Sequence, residues 1–292
     1  MKIKLGLPDG IGSGIEGFQK LINFAENAKQ HQFASLEIDL SGVRWLDANM
    51  CSPLGAILYK ISRKPNAVSL AGLSQKLEKI LSKNGFLAAY GREKIPDTYG
   101  TTIEYKRFEP ADERYFASYV ETHLKGKGIP PMSAALRKKF RESIFEIFSN
   151  AVIHSQTKFG IFSCGQFFPV KNRLDFSLTD LGVGIRENLK QMAGLDLPAA
   201  EAIQWAMEGK NTTKKGAIPG GLGLKVLREF ITMNKGRMQI VSDGGYWELN
   251  AGAVNTQSFS VPFPGTTVNI EINTADAASY CLASELSPAD IF

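Results

Sequence analysis

Three segments in the second half of this 292-residue chain carry side chains able to do chemistry. The first is Glu-Ile-Phe-Ser-Asn-Ala-Val-Ile-His, residues 146–154. Glu146, Asn150 and His154 stand at i, i+4 and i+8, so a helix aligns them in one stripe. A glutamate can take a proton from water or a hydroxyl, and an asparagine oxygen can ligate a hard cation such as Mg²⁺. The second is Leu-Thr-Asp-Leu-Gly-Val-Gly-Ile, residues 178–185, directly after a predicted strand. Asp180 at a strand end can accept a hydrogen bond from an exocyclic amine. Gly182 and Gly184 would let a flat ring approach the backbone. The third is Pro-Gly-Gly-Leu-Gly-Leu-Lys, residues 219–225. Its glycines, Gly221 and Gly223 among them, open a helix and present unpaired N–H groups to a phosphate. Lys214 and Lys215 in the preceding stretch can reach phosphate oxygens. No Walker-type loop, GxxxxGK[ST], is present. Taken singly, these residues equally suit a solvated helix face, a capped turn and a flexible loop.

The elements that must position them follow from periodicity. Leu136, Phe140, Ile144, Ile147, Phe148 and Ala151 recur at helical spacing and predict a helix over 133–155, with the polar stripe beside its apolar face. Strands are expected at 160–164 and 174–179, then a Gly-rich turn and a helix. A flexible stretch, a helix over 222–234 and strands near 238–242, 258–261 and 266–272 follow. Grouped helices and strands predict an α+β sandwich. The first hundred residues alternate instead. Strands at 1–7, 33–40, 67–72 and 101–108 are separated by helices at 15–30, 46–62 and 75–87, which predicts an α/β sheet. A polar helix, 112–126, and a Gly/Pro break, 125–131, join the halves.

In order and spacing, the chemical segments resemble the GHKL ATPase superfamily of gyrase, heat-shock chaperone, histidine-kinase and mismatch-repair ATPases. Glu146 and Asn150 match ExxxN, and Asp180, Gly182 and Gly184 match DxGxG. Gly221 and Gly223 match the second glycine box. Gly265-Thr266-Thr267 matches the late Gly-Thr element. The resemblance spans about residues 134–274 and implies an ATP site with Mg²⁺ and the family's α+β sandwich. It makes Glu146 the general base, Asn150 the Mg²⁺ ligand and Asp180 the partner of the adenine amine. Gly182 and Gly184 give the base room, Gly221 and Gly223 contact phosphates, Thr266 stands near the adenine, and residues 205–221 form a lid. The asparagine-to-histidine spacing, with His154 in its slot, is similar to anti-sigma-factor serine kinases; His154 equally suits a capped helix end. Thr212 to Lys214 in the lid also occurs in histidine kinases. His31 and His123 sit in no dimerisation-helix context, which argues against that branch.

In the first half, Gly12, Gly14 and Gly17 form a literal GxGxxG with Asp39 22 residues on. Four residues, Pro8 to Ile11, intervene after the strand, which argues against a nicotinamide or flavin site. Residues 36–58 instead resemble the STAS domain of anti-sigma-factor antagonists, over about residues 1–108. Asn49 stands where that family has its phospho-accepting serine and Met50 where it has the following glycine. Ser52 is near but out of register. The first half is therefore expected to dock a partner rather than accept phosphate.

Composition bounds the rest. At 43% hydrophobic and 22% charged, the chain excludes long disorder, collagen-like repeats and a disulfide scaffold. No stretch reaches the ~18 apolar residues of a membrane span, and the N-terminus has no signal-peptide pattern. Three scattered cysteines match no metal spacing and suit free thiols in a reducing cytoplasm. Residues 1–108 hold 15 basic and 10 acidic side chains, and so carry the whole net charge of +5. That bias favours an acidic partner, while no zinc, helix-turn-helix or RNA-motif signature points to nucleic acid. The expected organisation is a STAS-like domain (1–108), a linker helix and break (109–133), a GHKL domain (134–274) and a tail (275–292). The expected function is an ATP-dependent serine/threonine kinase acting on a regulatory protein, STAS-like or of a sigma pathway. The alternative is an ATP-gated switch or slow ATPase. No membrane partner is expected, and a homodimer stays open.

Overall fold

Apolar residues at every second position build three short parallel strands, β1 (Lys2–Gly6), β2 (Ser35–Asp39) and β3 (Ala67–Ala71). Leu36 and Ile38 of the central strand are buried, in register with Ile3 and Leu5 on one side and Val68 and Leu70 on the other. Parallel strands need crossovers, and helices supply them here. They are α1 (Ile15–Lys29), between β1 and β2, and α2 (Cys51–Arg63), between β2 and β3; α3 (Gln75–Lys83) follows β3. The computed structural model describes residues 2–208 and 222–285.

Helix α2 starts five residues later than its apolar pattern predicts. Asp47 accepts hydrogen bonds from the Ser13 N–H (2.9 Å), the Ser13 hydroxyl (3.1 Å) and Trp45 Nε1 (3.0 Å). Those bonds tie residues 45–47 to the loop before α1, and only a single 3-10 turn, Ala48–Met50, precedes the helix.

The second sheet is antiparallel with order β4-β5-β6-β8-β7. Its strands are β4 (Thr102–Phe108), β5 (Ile161–Phe168), β6 (Arg173–Asp180), β7 (Arg237–Asn250) and β8 (Ala253–Asn273). Strand β4, grouped with the first half by sequence order, is the edge of this second sheet. The two strands expected near 258–261 and 266–272 are one continuous β8. Pro262 and Pro264 are turn signals in the sequence. Here they fall where the β7 register shifts around Asp243, a place where a missing N–H costs no ladder bond.

One face of this sheet is covered by α4 (Glu113–Leu124), α5 (Ala134–His154), α7 (Ala199–Met207) and α8 (Leu222–Met233). Ser133 caps α5, its hydroxyl accepting from the Leu136 N–H at 3.1 Å. Phe116 and Phe148 stack beneath it with centroids 4.4 Å apart. Helices α1 and α2 lie on the opposite face, and Phe162, Cys164, Val241 and Phe263 extend the first half's core. The first half therefore packs on the second sheet. Gly55 of α2 has no room for a side chain, because a Cβ would land on the Tyr105 ring of β4. The chain is thus an α/β protein with a three-stranded parallel and a five-stranded antiparallel sheet. Among the described residues no helix is long and apolar enough to cross a membrane. All three cysteines are free thiols, Cys51 and Cys164 buried and Cys281 exposed.

Candidate functional site

The polar stripe of α5, the end of β6 and the middle of β8 converge on one cavity of about 170 Å³. Glu146, Asn150 and His154 form one wall. The apolar face of α5 fixes them there, since Phe140, Ile144, Ile147 and Phe148 are buried against the sheet side. Leu178, Ile240 and Val268 line the cavity from the strands, and Trp205 and Met207 line it from α7. An apolar cavity with a few converging polar groups is the usual form of a small-molecule site. About 150 Å³ is enough for a benzene ring, so the volume suits a flat aromatic group.

Asp180 is the last residue of β6 and only 4% exposed. Burial pushes its carboxyl up to about 7, against the pull of the Gly182 N–H and the Ser155 hydroxyl, and the nearby Asp243 adds to the rise. The Gly182 N–H donates to Asp180 Oδ1 at 2.9 Å. Asp180 pairs in register with Thr266 of β8. The Thr266 hydroxyl lies 2.8 Å from the Ser242 hydroxyl, which also accepts the Ile185 N–H at 2.8 Å. That chain fixes the start of α6 (Ile185–Ala193) against the strand ends.

The glycines serve close approaches. At Gly182 a Cβ would land on the Ser155 carbonyl oxygen, which also accepts the Val183 N–H at 2.6 Å. Gly182 therefore stands against the end of α5 and is not part of the cavity lining, whereas Gly184 is. A Cβ at Gly184 would strike the Asp243 carboxylate, which accepts the Arg186 N–H at 3.1 Å. A Cβ at Gly265 would strike the Asp180 carbonyl oxygen. Gly223 lies in the first turn of α8, whose Leu224 lines the cavity. Thr212, Lys214, Lys215 and Gly221 lie outside the described residues. Of the expected lid, residues 205–207 belong to α7.

Sequence reasoning missed several neighbours. Asn188 donates from Nδ2 to the His154 carbonyl oxygen at 3.1 Å, and Ser155, Trp205 and Met238 line the cavity. Asp243, half-buried with its carboxyl held up by burial, closes the turn behind Gly184. Its signal was the Asp-Gly-Gly run at 243–245, which reads as an ordinary turn. Asp243 in fact adopts a φ of 51° at the register shift of β7.

The first-half candidates have packing explanations. A Cβ at Gly17 would land on the Gly12 carbonyl oxygen, so the GxGxxG spacing serves the contact of α1 with its preceding loop. Asp39 is engaged by Lys4 at 3.0 Å and by the Ser41 N–H at 3.0 Å. Asn49 is 1% exposed and accepts from the Ser13 hydroxyl at 3.0 Å. Ser52 is 0% exposed, and its hydroxyl donates to the Phe162 carbonyl oxygen and lies 2.9 Å from the Thr179 hydroxyl.

Compared with known proteins, the chain matches no family model and no curated protein sequence.

Proposed function

We propose that the cavity between α5 and the second sheet binds ATP, and that the chain is a cytoplasmic regulatory protein of GHKL type carrying a STAS-like first half. The observation that carries this reading is convergence. Residues 146–154, 180–184 and 266, far apart in sequence, line or border one cavity in the order the resemblance requires. The residues fit the nucleotide. Ionised Asp180 accepts a hydrogen bond from the adenine amine at the cavity's buried end. The apolar lining takes the ring. The donor set fits Mg²⁺ only as a partial shell: Asn150 offers one oxygen, and Mg²⁺ ordinarily takes the rest from phosphates and waters. Among the described residues no group of three or more acidic, histidine or cysteine side chains could hold a metal alone. When bound, the ion neutralises charge on the phosphates.

The favoured activity is phosphorylation of a partner's serine or threonine. Glu146 takes the proton from the attacking hydroxyl, a bond forms from that oxygen to the terminal phosphorus, and the bond to ADP breaks. A second reading, an ATP-gated switch, is favoured by one contact. Ser52 of the first half reaches Thr179, the residue before Asp180, and so links nucleotide occupancy to the first half's seat.

Titration of the full chain with ATP and with GTP in the presence of Mg²⁺ tests the binding. Saturable ATP binding, with GTP much weaker, is expected. GTP has a carbonyl where adenine has its amine, and it would face Asp180 with an acceptor. No ATP binding, or equal binding of both, contradicts the reading. Phosphate found by mass spectrometry on a co-purified partner selects the kinase. ATP-dependent association with an unmodified partner selects the switch.

A further inference from the structure

A smaller pocket of about 90 Å³ opens elsewhere on the molecule, at the seam of the two halves. The first half supplies Trp45, Leu46, Leu77 and Ile80, and strand β5 of the second sheet supplies Gln166 and Phe168. Its walls are mainly apolar, and its rim is cationic. Trp45 is 38% exposed, yet its Nε1 donates to Asp47 Oδ1 at 3.0 Å, which holds the ring in place. The Lys76 ammonium lies 5.8 Å and the Lys171 ammonium 4.7 Å from the indole centroid. The two lysines come from α3 and from the β5–β6 turn, and both are exposed. Among the described residues, no carboxylate pairs with either of them. The two acids bonded to Trp45 are already committed. Asp47 is buried and faces Arg173 at 3.5 Å, and Asp9 holds Arg44 at 2.7 Å. Two uncompensated cations thus converge on an aromatic rim above an apolar pocket.

We propose that this pocket docks a short acidic segment of a partner protein, with one aliphatic side chain in the pocket and carboxylates against Lys76 and Lys171. The volume suits a side chain of leucine size. Two ammonium groups beside an indole and an apolar pocket suit a short acidic segment that carries one apolar side chain. The surplus of basic residues in the first 108 positions gives the same sign to the wider surface. The surface lies apart from the nucleotide cavity and stands without that reading.

The test uses the full chain and a blocked pentapeptide, leucine flanked on each side by two aspartates. Binding is followed by calorimetry. Saturable binding that weakens with added salt is expected. The double variant Lys76→Glu, Lys171→Glu should bind about tenfold more weakly or worse, with an unchanged melting temperature because both side chains are exposed. A peptide with glycine in place of leucine should lose about tenfold to a hundredfold, the scale of burying one aliphatic side chain. Absence of saturable binding, or full affinity in the double variant, overturns the proposal. So does equal affinity of the glycine peptide, which would reduce the surface to diffuse charge attraction. A single-stranded oligonucleotide that binds more tightly than the peptide and displaces it would also overturn the proposal and give the surface to nucleic acid.

Discussion

Strand β6 meets two different environments on its alternating residues. Leu174, Phe176 and Leu178 join the apolar core under α5, and Asp180 follows them at the cavity. Arg173, Asp175, Ser177 and Thr179 point the other way, toward the first half. Asp175 lies 3.1 Å from Arg173, which also reaches Asp47 at 3.5 Å and Glu271 at 3.7 Å. Both aspartates are buried, and burial pushes both carboxyls up to about 7. Asp180 lines the cavity between α5 and the second sheet. A displaced acid is therefore not a functional signal by itself. Asp175 is held among the charges of Arg173, Asp47 and Glu271, while Asp180 sits beside apolar walls and a register-matched threonine.

The comparison can be sharpened by experiment. The largest effect is expected at Glu146. Glu146→Gln keeps the shape of the cavity wall but cannot take a proton, so ATP binding persists while turnover falls by about 10²–10⁴-fold. Turnover at the wild-type rate would remove Glu146 as the base. Across the sheet, Ser52→Ala deletes the hydroxyl that bridges Phe162 and Thr179 in a fully buried seam. The loss should be about 1–3 kcal/mol in denaturant unfolding. A variant as stable as the wild type would mean that the seam is looser than described.

The pH dependence of stability reads both faces at once. Asp175 and Asp180 have folded pKa values raised to about 7, above the ordinary carboxylate value of 3.8. Between those values the unfolded chain has released the two protons and the folded chain still holds them. Stability is therefore greatest below the unfolded value as far as these two groups are concerned, and declines as pH rises toward 7. Each contributes a slope of about 1.4 kcal/mol per pH unit at most. Asp175→Asn and Asp180→Asn should each remove about half of the fall. A stability curve flat from pH 5 to 7 would contradict both assignments. The smallest signal is a null one. With labelled ATP, residues 1–108 should stay unlabelled, because Asn49 has no hydroxyl and the Ser52 hydroxyl is buried. Stoichiometric phosphate on Ser41 or Ser52 would turn the first half into a substrate.

The α5 stripe was legible in the sequence because its spacing is local. Glu146, Asn150 and His154 share a helix face whatever surrounds them. Asp180 and its glycines were legible because a strand end followed by glycines is also a local pattern. The seat of β4 was not. Its alternation gives a strand, but pairing with β5 rather than β3 is a long-range choice that no periodicity encodes. The same holds for Ser52, whose hydroxyl is buried against a strand more than a hundred residues away. The strands expected near 258–261 and 266–272 are one because Pro262 and Pro264 between them fall at a register shift with β7, not at a break in the strand. Asp243 reads as an ordinary turn residue because Gly184, which it packs against, is distant in sequence and close only in the fold.

The central claim is that Asp180, and not its counterpart on the other face, recognises the adenine amine. Calorimetric titration of ATP with Mg²⁺ at pH 8, where the Asp180 carboxylate is ionised, tests it most directly. Asp180→Asn presents an amide donor to that amine and should weaken binding by about tenfold to a hundredfold, the equivalent of about 1–3 kcal/mol. Asp175→Asn, a substitution of the same size on the same strand, should leave ATP affinity at the wild-type value. Equal losses in the two variants, or none in Asp180→Asn, would contradict the account.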